Sequence, residues 1–414
     1  MNGAPSVADE DLTCAACRSR GLTLMMDYGS LPLAGAFPSA PTGAGHERYP
    51  LSLRVCPACL LVQVPERVAP EVLFADYRYR SSVPLSDHFH SYAEHVPQVA
   101  GATAGDLIVE VGCNDGVLLN PLHAMGYTNL VGVDPAKNMI DLIPDTIPTR
   151  TAFFGETVAA EIVRDLGRAS LVLANNVFAH VDDLHDFLDG TTTLLSADGL
   201  FVFEVHDVSV LLEGAQFDTV YHEHRYYYSL LSLRPLLASH GLRIVRVERL
   251  ATHGGSLRVY CGRVGTSRGV DQDVDRFVDA EVRRGLADMA TYTTFAQHAA
   301  TARRDLEVLM GTVDPDSVVV GAGAAGRAVT LLNVVPDVAA RLRCVVDESP
   351  ERIGRYIAGV ATPIVALDEL RSARPDVVLV TAWPYADEFC AKIDALLGEA
   401  RPQYVIPLPT PRFA

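Results

Sequence analysis

Apolar positions along this chain fall into short runs that alternate with stretches of helical spacing. The first clear run, 107–111 (Leu-Ile-Val-Glu-Val), enters a glycine turn and then the apolar helix start Val117-Leu118-Leu119. Similar runs follow at 130–134, 170–175 and 199–205, with a late pair at 242–247 and 256–261. Strands alternating with helices in this way predict an α/β fold, a doubly wound and mostly parallel sheet. A second set of runs at 317–320, 342–347, 377–380 and 404–407 predicts another such sheet, reached through a helical connector over 271–310. A helix is also expected over 86–96. Ahead of it, the segment 21–54 carries Pro32, Pro38, Pro41 and Pro50 and reads as a loop or hairpin. The expected division is therefore 1–72, 73–265, 266–312 and 313–414.

Composition narrows the function. A chain of 414 residues with 49% apolar content has room for two or three cores. Its net charge of −17 disfavours nucleic acid and anionic membrane as partners. No run reaches the roughly eighteen apolar residues of a membrane span, and the first residues lack the regions of a signal peptide, so a cytoplasmic location is expected. The cysteines point the same way, since pairing of single thiols is not their pattern. Cys14-Ala-Ala-Cys17 and Cys56-Pro-Ala-Cys59 are two C-x-x-C knuckles, whose four thiolates suit a closed tetrahedral zinc site of structural type. A redox role is the alternative, and neither knuckle sits in the βαβ pattern it needs.

The candidate chemistry begins at the first glycine turn. Gly112-x-Asn114-Asp115-Gly116 joins a strand to a helix N-terminus, and Asp134-Pro135 closes the next strand, where a carboxylate can accept ribose hydroxyls. A dinucleotide cradle would read G-x-G-x-x-G. Here Glu110 stands on the strand, which repels a pyrophosphate and suits a cationic ligand bearing an ammonium and a sulfonium. Tyr77 and Tyr79 precede this strand, where they can fold over a ligand or pack at a domain junction. Asn175, Asn176 and His180 follow the 170–175 strand at the ligand-binding edge of such sheets. The densest group is Tyr221-His222-Glu223-His224. Adjacent residues do not share a helix face, so a general base with orienting neighbours fits better than a metal. His253-Gly254-Gly255-Ser256-Leu257-Arg258 adds an arginine able to meet a phosphate. The C-terminal half opens with Gly321-x-Gly323-x-x-Gly326-Arg327, a dinucleotide-type loop that can hold any nucleoside diphosphate, with Arg327, Asn333 and Arg355 as further candidates.

Taken in order, these motifs resemble the nucleotide-sugar C-methyltransferases of antibiotic deoxysugar pathways. That resemblance spans nearly the whole chain. It implies a zinc module, a class I methyltransferase domain of Rossmann-like fold and a C-terminal Rossmann-like domain that binds the nucleotide sugar. It implies S-adenosylmethionine as methyl donor, held by Glu110, Gly112, Asn114, Asp115, Gly116, Asp134, Pro135, Asn175 and Asn176. The implied acceptor is a dTDP-4-keto-6-deoxyhexose. His224 is the implied base, with Tyr221, Glu223, His180, Tyr79 and Tyr77 beside it and His222, Arg258 and Gly323 on the acceptor. Arg225 and His206-Asp207 depart from the family pattern, and those departures bear on the acceptor's ring substituents. An NAD-dependent oxidoreductase would leave Glu110 to Gly116 unexplained, and a non-catalytic binding protein would leave Tyr221 to His224 unexplained.

Overall fold

The computed structural model describes residues 12–41, 47–74, 79–81 and 85–414; Tyr77 lies outside them. In the N-terminal module, β1 (Thr23–Leu31) pairs antiparallel with β2 (Tyr49–Val55), the hairpin expected from the proline-rich insert. β2 pairs in turn with the two-residue β3 (Val62–Gln63). The central domain supplies β4 (Ile108–Val111), β5 (Leu130–Asp134), β6 (Thr149–Thr151), β7 (Ala169–Asn175) and β8 (Leu195–His206). Next come the short β9 (Tyr226–Tyr227) and then β10 (Leu242–Leu250) and β11 (Ser256–Arg263). β9 does not join the central sheet. It pairs with β3, Val62 opposite Tyr227 and Gln63 opposite Tyr226, and completes the sheet of the N-terminal module.

The central sheet has the order β10-β11-β8-β7-β4-β5-β6, parallel except for β11. β4 and β5 lie deep in it and all their residues are buried, so their apolar runs show no alternation. Strand order reverses between β4 and β7, which opens a crevice at their carboxyl ends. The C-terminal domain contributes β12 (Val319–Ala322), β13 (Leu342–Asp347), β14 (Ile364–Ala366), β15 (Val377–Val380), β16 (Gln403–Ile406) and β17 (Arg412–Phe413). Their order is β14-β13-β12-β15-β16-β17, parallel up to the antiparallel β17, with its own reversal between β12 and β15. The edge strands β6, β14 and β17 had no legible run, being short or half exposed.

The stretch read as a connector is three helices, Asp273–Arg283, Met289–Thr293 and Phe295–Gly311, broken where Gly285 takes φ +80°. It does more than connect. Glu281 accepts the backbone N–H groups of Leu230 and Leu231 and so caps a central-domain helix. Phe295, Ala299 and Leu306 enter an apolar cluster with Met25 and Leu53 of the N-terminal module and Val329 and Leu331 of the C-terminal domain. The modules share this core, while each α/β domain also has an apolar cluster of its own.

The two cysteine knuckles close on one another. Sγ–Sγ distances are 3.6 Å for Cys14–Cys59 and 3.5 Å for Cys17–Cys56, and all four sulfurs lie within 4.8 Å of one another. A tetrahedron with Zn–S bonds of about 2.3 Å has edges of about 3.8 Å, so the set fits zinc. Gln63 of β3 donates from Nε2 to Cys14 Sγ (3.3 Å) and accepts Ala15 N–H on Oε1 (3.0 Å), a second layer that orients the thiolate. Because Gln63 also sits opposite Tyr226, disorder at the metal reaches β9. Cys14→Ser is expected to lower bound zinc from about one equivalent and to reduce activity, although the cysteines touch no part of the crevice. Full activity in a variant shown by metal analysis to lack zinc would refute this coupling.

Candidate active site

Strand β4 delivers Glu110 to the crevice, and the turn behind it is built for close approach. Gly112 and Gly116 have φ of +69° and +77°, and a Cβ on Gly112 would meet Val177 Cγ2 at 2.1 Å. Asp134, at the end of β5, holds the turn. Its Oδ2 accepts Asn114 N–H (2.9 Å) and its Oδ1 accepts Ala136 N–H (2.8 Å), leaving lone pairs on both oxygens for a diol. Glu110 is buried, and Oε2 has no hydrogen-bond partner among the described residues. Burial first, then the charges of Asp134 and Asp115, push its carboxyl well above the usual range. Such a group takes up a proton unless a cation arrives, and the ammonium of S-adenosylmethionine is such a cation. The residues present fit that cofactor.

This cradle lines a cavity of about 600 Å³ together with residues from all parts of the chain. Pro135, Asn175, Asn176 and His180 line it, as do Tyr79, Tyr221, Glu223 and His224. Asp115 and Gly116 lie behind the wall, where Arg80 Nε stands 3.6 Å from the Asp115 carboxylate. Asn114 ties the loop to the segment before it, donating to the Tyr79 carbonyl (3.0 Å) and accepting Ser81 N–H (3.1 Å).

The segment 217–224 is gripped from three sides. Tyr28 donates to the Phe217 carbonyl (2.9 Å) and Thr330 to that of Val220 (3.1 Å), while Trp383 Nε1 donates to Asp218 (2.7 Å). Within it, His224 Nδ1 lies 3.0 Å from the Thr219 carbonyl, which must accept a hydrogen, so the proton is on Nδ1. Nε2 then carries the lone pair and accepts the Tyr221 hydroxyl at 2.7 Å. Burial above all, helped by His180 and His206, pushes His224 well below its ordinary pKa and keeps it neutral. Its ring is 5.0 Å from His180, itself pushed down by burial to about 4. Burial raises the Tyr221 phenol, so it stays a hydrogen-bond donor at neutral pH. Glu223 is pushed up by burial to about 7, with Gly35 N–H (3.1 Å) pulling it down.

Several residues expected at the acceptor have other work. His222 bonds the Tyr49 and Pro50 carbonyls (3.2 Å each) and fastens the hairpin. Arg258 pairs with Glu204 (2.7 Å) and lies over the Tyr92 ring, inside the central sheet. Asn333 donates to the Val329 and Ala358 carbonyls, and Arg355 to those of Glu351 and Phe37. None of the four lines the cavity. Arg327 does line it, but it is bound to Asp218, Gln216 and the His253 carbonyl and stacked on Trp383. Gly323 also lines the cavity; its Cβ would fall 2.3 Å from Ala382 Cβ, so this glycine serves strand packing. The third glycine of that loop has a different reason. A Cβ on Gly326 would meet Tyr221 Cζ at 3.1 Å and Tyr79 Oη at 3.2 Å, so the loop is cut back to admit the two tyrosines.

Sequence reasoning missed other residues of the wall. His253, held at φ +58°, and His206 bring a third and a fourth imidazole to the cavity, and Arg80, Arg352 and Tyr385 line it too. Only the residue types of His206 and His253 were legible, since their strands converge through antiparallel pairing that no local pattern encodes.

The seven-stranded sheet and the acid-flanked cradle at its reversal define an S-adenosylmethionine-dependent methyltransferase. Residues 85–247 match a methyltransferase domain, 251–409 a C-methyltransferase C-terminal domain and 14–74 a zinc binding domain. The C-methyltransferase NovU of Streptomyces niveus is 34% identical over 404 residues, 96% of this chain and 96% of its own. The chain belongs to this C-methyltransferase family. A ubiquinone biosynthesis O-methyltransferase of Bartonella tribocorum is 30% identical over only 95 residues, 22% of this chain and 38% of its own. Among solved structures, magnesium protoporphyrin IX methyltransferase from Synechocystis PCC 6803 with bound SAM is 16% identical. Its TM-score is 0.33, covering 43% of this chain and 79% of that one.

Two outcomes test this geometry. Asp134→Ala should weaken S-adenosylmethionine by about 1–3 kcal/mol in calorimetric titration, since it removes the hydroxyl acceptor and unties Asn114; unchanged affinity would place the ribose elsewhere. The second concerns pH. Glu223 and Glu281 both rise from 4.5 to about 7 in the fold. Between those values the folded chain binds more protons than the unfolded one, so stability falls as pH climbs from about 4.5 to 7. Glu223→Gln should flatten part of that decline in melting temperature against pH, and an identical slope would refute the assignment.

Proposed function

We propose that this enzyme methylates a carbon beside the ketone of a dTDP-4-keto-6-deoxyhexose, at C3, in the biosynthesis of an antibiotic deoxysugar. The observation that carries the reading is the neutral His224–Tyr221 pair in the cavity shared by the cofactor cradle and the C-terminal loop. A C–H next to a ketone is acid enough for a neutral imidazole to take its proton. As the acceptor seats, the Tyr221 hydroxyl turns from His224 to the ketone oxygen, which frees Nε2 for the C–H. The same hydroxyl then donates to the enolate oxygen as charge develops there, and the raised pKa of the phenol keeps its proton available for that bond. The Thr219 carbonyl fixes the tautomer and steadies the imidazolium that forms. S-adenosylmethionine supplies an electrophilic methyl group to the nucleophilic carbon. Glu223 orients the ring hydroxyls.

The diphosphate of the acceptor belongs at the C-terminal loop, by the N-terminus of the Gly326–Val334 helix. Arg352 and Arg80 are the guanidinium groups best suited to it. Both line the cavity, and Arg352 Nε has no partner among the described residues. Arg327 then acts from behind, through the peptide it braces.

Isotope exchange tests the base. With dTDP-4-keto-6-deoxyglucose and S-adenosylhomocysteine in D₂O, the wild type is expected to wash deuterium into the carbon beside the ketone. His224→Asn should lower turnover by roughly 10²–10⁴-fold and abolish exchange, with little change in ligand affinity. His222→Asn should keep most of the exchange. Exchange by His224→Asn at the wild-type rate would remove His224 from this role and move attention to His180.

A further inference from the structure

His206 ends β8 at the crevice edge, opposite Ser256 of β11, and its ring lines the cavity. It is 7% exposed, and its Nε2 has no hydrogen-bond partner among the described residues. Burial pushes the imidazole well below its ordinary pKa, and the neighbouring Gln216 side chain opposes that only in part. Gln216 is itself anchored, donating to the Gly254 carbonyl (3.1 Å) and accepting Arg327 Nη2 (3.1 Å). The imidazole is therefore neutral and keeps an orphan nitrogen at Nε2. A buried orphan nitrogen costs free energy unless something arrives to meet it. His206 is close enough to His224 to lower its pKa.

The surroundings select what can arrive. The charged and titratable neighbours of His206 are the Arg327 guanidinium, the His253 and His224 imidazoles and the Tyr227 phenol. Asp218, the carboxylate nearest that guanidinium, is already spent on Arg327 and Trp383. The adjacent Asp207 caps the Val208–Glu213 helix through Ser209 N–H (2.8 Å) and leans toward Arg249 (3.8 Å). An ammonium group beside His206 would face that guanidinium, and no carboxylate is among the groups that act on His206 to offset it. A hydroxyl meets no such penalty and can bond Nε2 as donor or acceptor, whichever tautomer the ring holds.

We propose that His206 is a specificity-determining residue that receives a hydroxyl of the acceptor ring through Nε2 and excludes an amino group at the same position. This rests on the reading that the cavity takes a 4-keto hexose, and it specifies that substrate as a hydroxy sugar.

The test compares two probes, dTDP-4-keto-6-deoxyglucose and its 3-amino-3-deoxy counterpart, with zinc-replete full-length enzyme and S-adenosylmethionine. Wild type is expected to favour the hydroxy sugar at least about tenfold in kcat/KM. His206→Leu should lose roughly tenfold to a hundredfold on that probe, mainly through KM, with little change on the amino sugar. His206→Gln keeps a polar atom near Nε2 and should recover most of the preference; it carries the test if the leucine variant does not bind S-adenosylmethionine normally. His206→Glu should turn the preference toward the amino sugar. Equal losses on both probes, or a wild-type preference for the amino sugar, would overturn the assignment of His206 while leaving the sugar methyltransferase reading intact. If the wild type turns over neither probe, that wider reading fails and the assignment falls with it.

Discussion

The contact between Asp218 and Arg327 is the constraint on which the site depends. Asp218 has no exposed surface, and burial pushes its carboxyl upward against the pull of the guanidinium 3.4 Å away. Two charges removed from water are tolerable only when every remaining hydrogen-bonding position is filled. Here Trp383 takes the second carboxylate oxygen, and Gln216 and the His253 carbonyl take the rest of the guanidinium. The pair therefore draws the segment 217–224, the β10–β11 turn and the C-terminal helix Gly326–Val334 to one point. The distance between the Tyr221–His224 pair and the third domain is set by this ion pair as well as by hydrophobic contact.

The same constraint explains why two similar cradles face each other. Asp134 accepts Asn114 N–H and Ala136 N–H; Asp347 accepts Ala324 N–H (2.6 Å) and Ser349 N–H (2.8 Å) in corresponding places. Gly112 N–H bonds the Val133 carbonyl at 2.7 Å, and Gly323 N–H bonds that of Val346 at 2.8 Å. The backbone device is repeated, yet the two differ in charge. The central turn keeps an unpaired acid in Glu110, whereas the C-terminal turn sets Arg352 3.3 Å from Asp347. One half presents an uncompensated acid and the other an acid already paired with an arginine.

Much of this was legible in the chain because it is local. Strand, glycine turn and terminal acid are contiguous, so 107–116 with Asp134 revealed the first cradle, and the two C-x-x-C pairs revealed the metal module. Clustering in sequence likewise exposed Tyr221 to His224. What stayed hidden depends on contacts between distant segments. Arg258 looks like a phosphate ligand until Glu204, on the neighbouring strand, is seen to claim it. His222 and His224 are chemically alike in the sequence, and only the hairpin carbonyls of Tyr49 and Pro50 assign one to scaffolding. The glycines at 323 and 326 match a dinucleotide fingerprint, while in the fold they make room for Ala382 and for two tyrosines. No membrane-crossing helix occurs among the described residues, in keeping with the reading of the apolar runs.

The pairing of β3 with β9 has a further consequence for how the chain is made. Val62-Gln63 emerges about 160 residues before Tyr226-Tyr227, its partner on that side among the described residues. At synthesis rates of roughly 5–20 residues per second, the interval is about 10–30 s. During that time the hairpin has an open edge and an apolar face whose covering has not yet been translated. Metal capture by the four cysteines needs only the first sixty residues, so it can fix the knuckles and hold Gln63 in place while the edge waits. Zinc held there would keep the earliest part of the nascent chain in register for a strand that arrives only after His224 has been made.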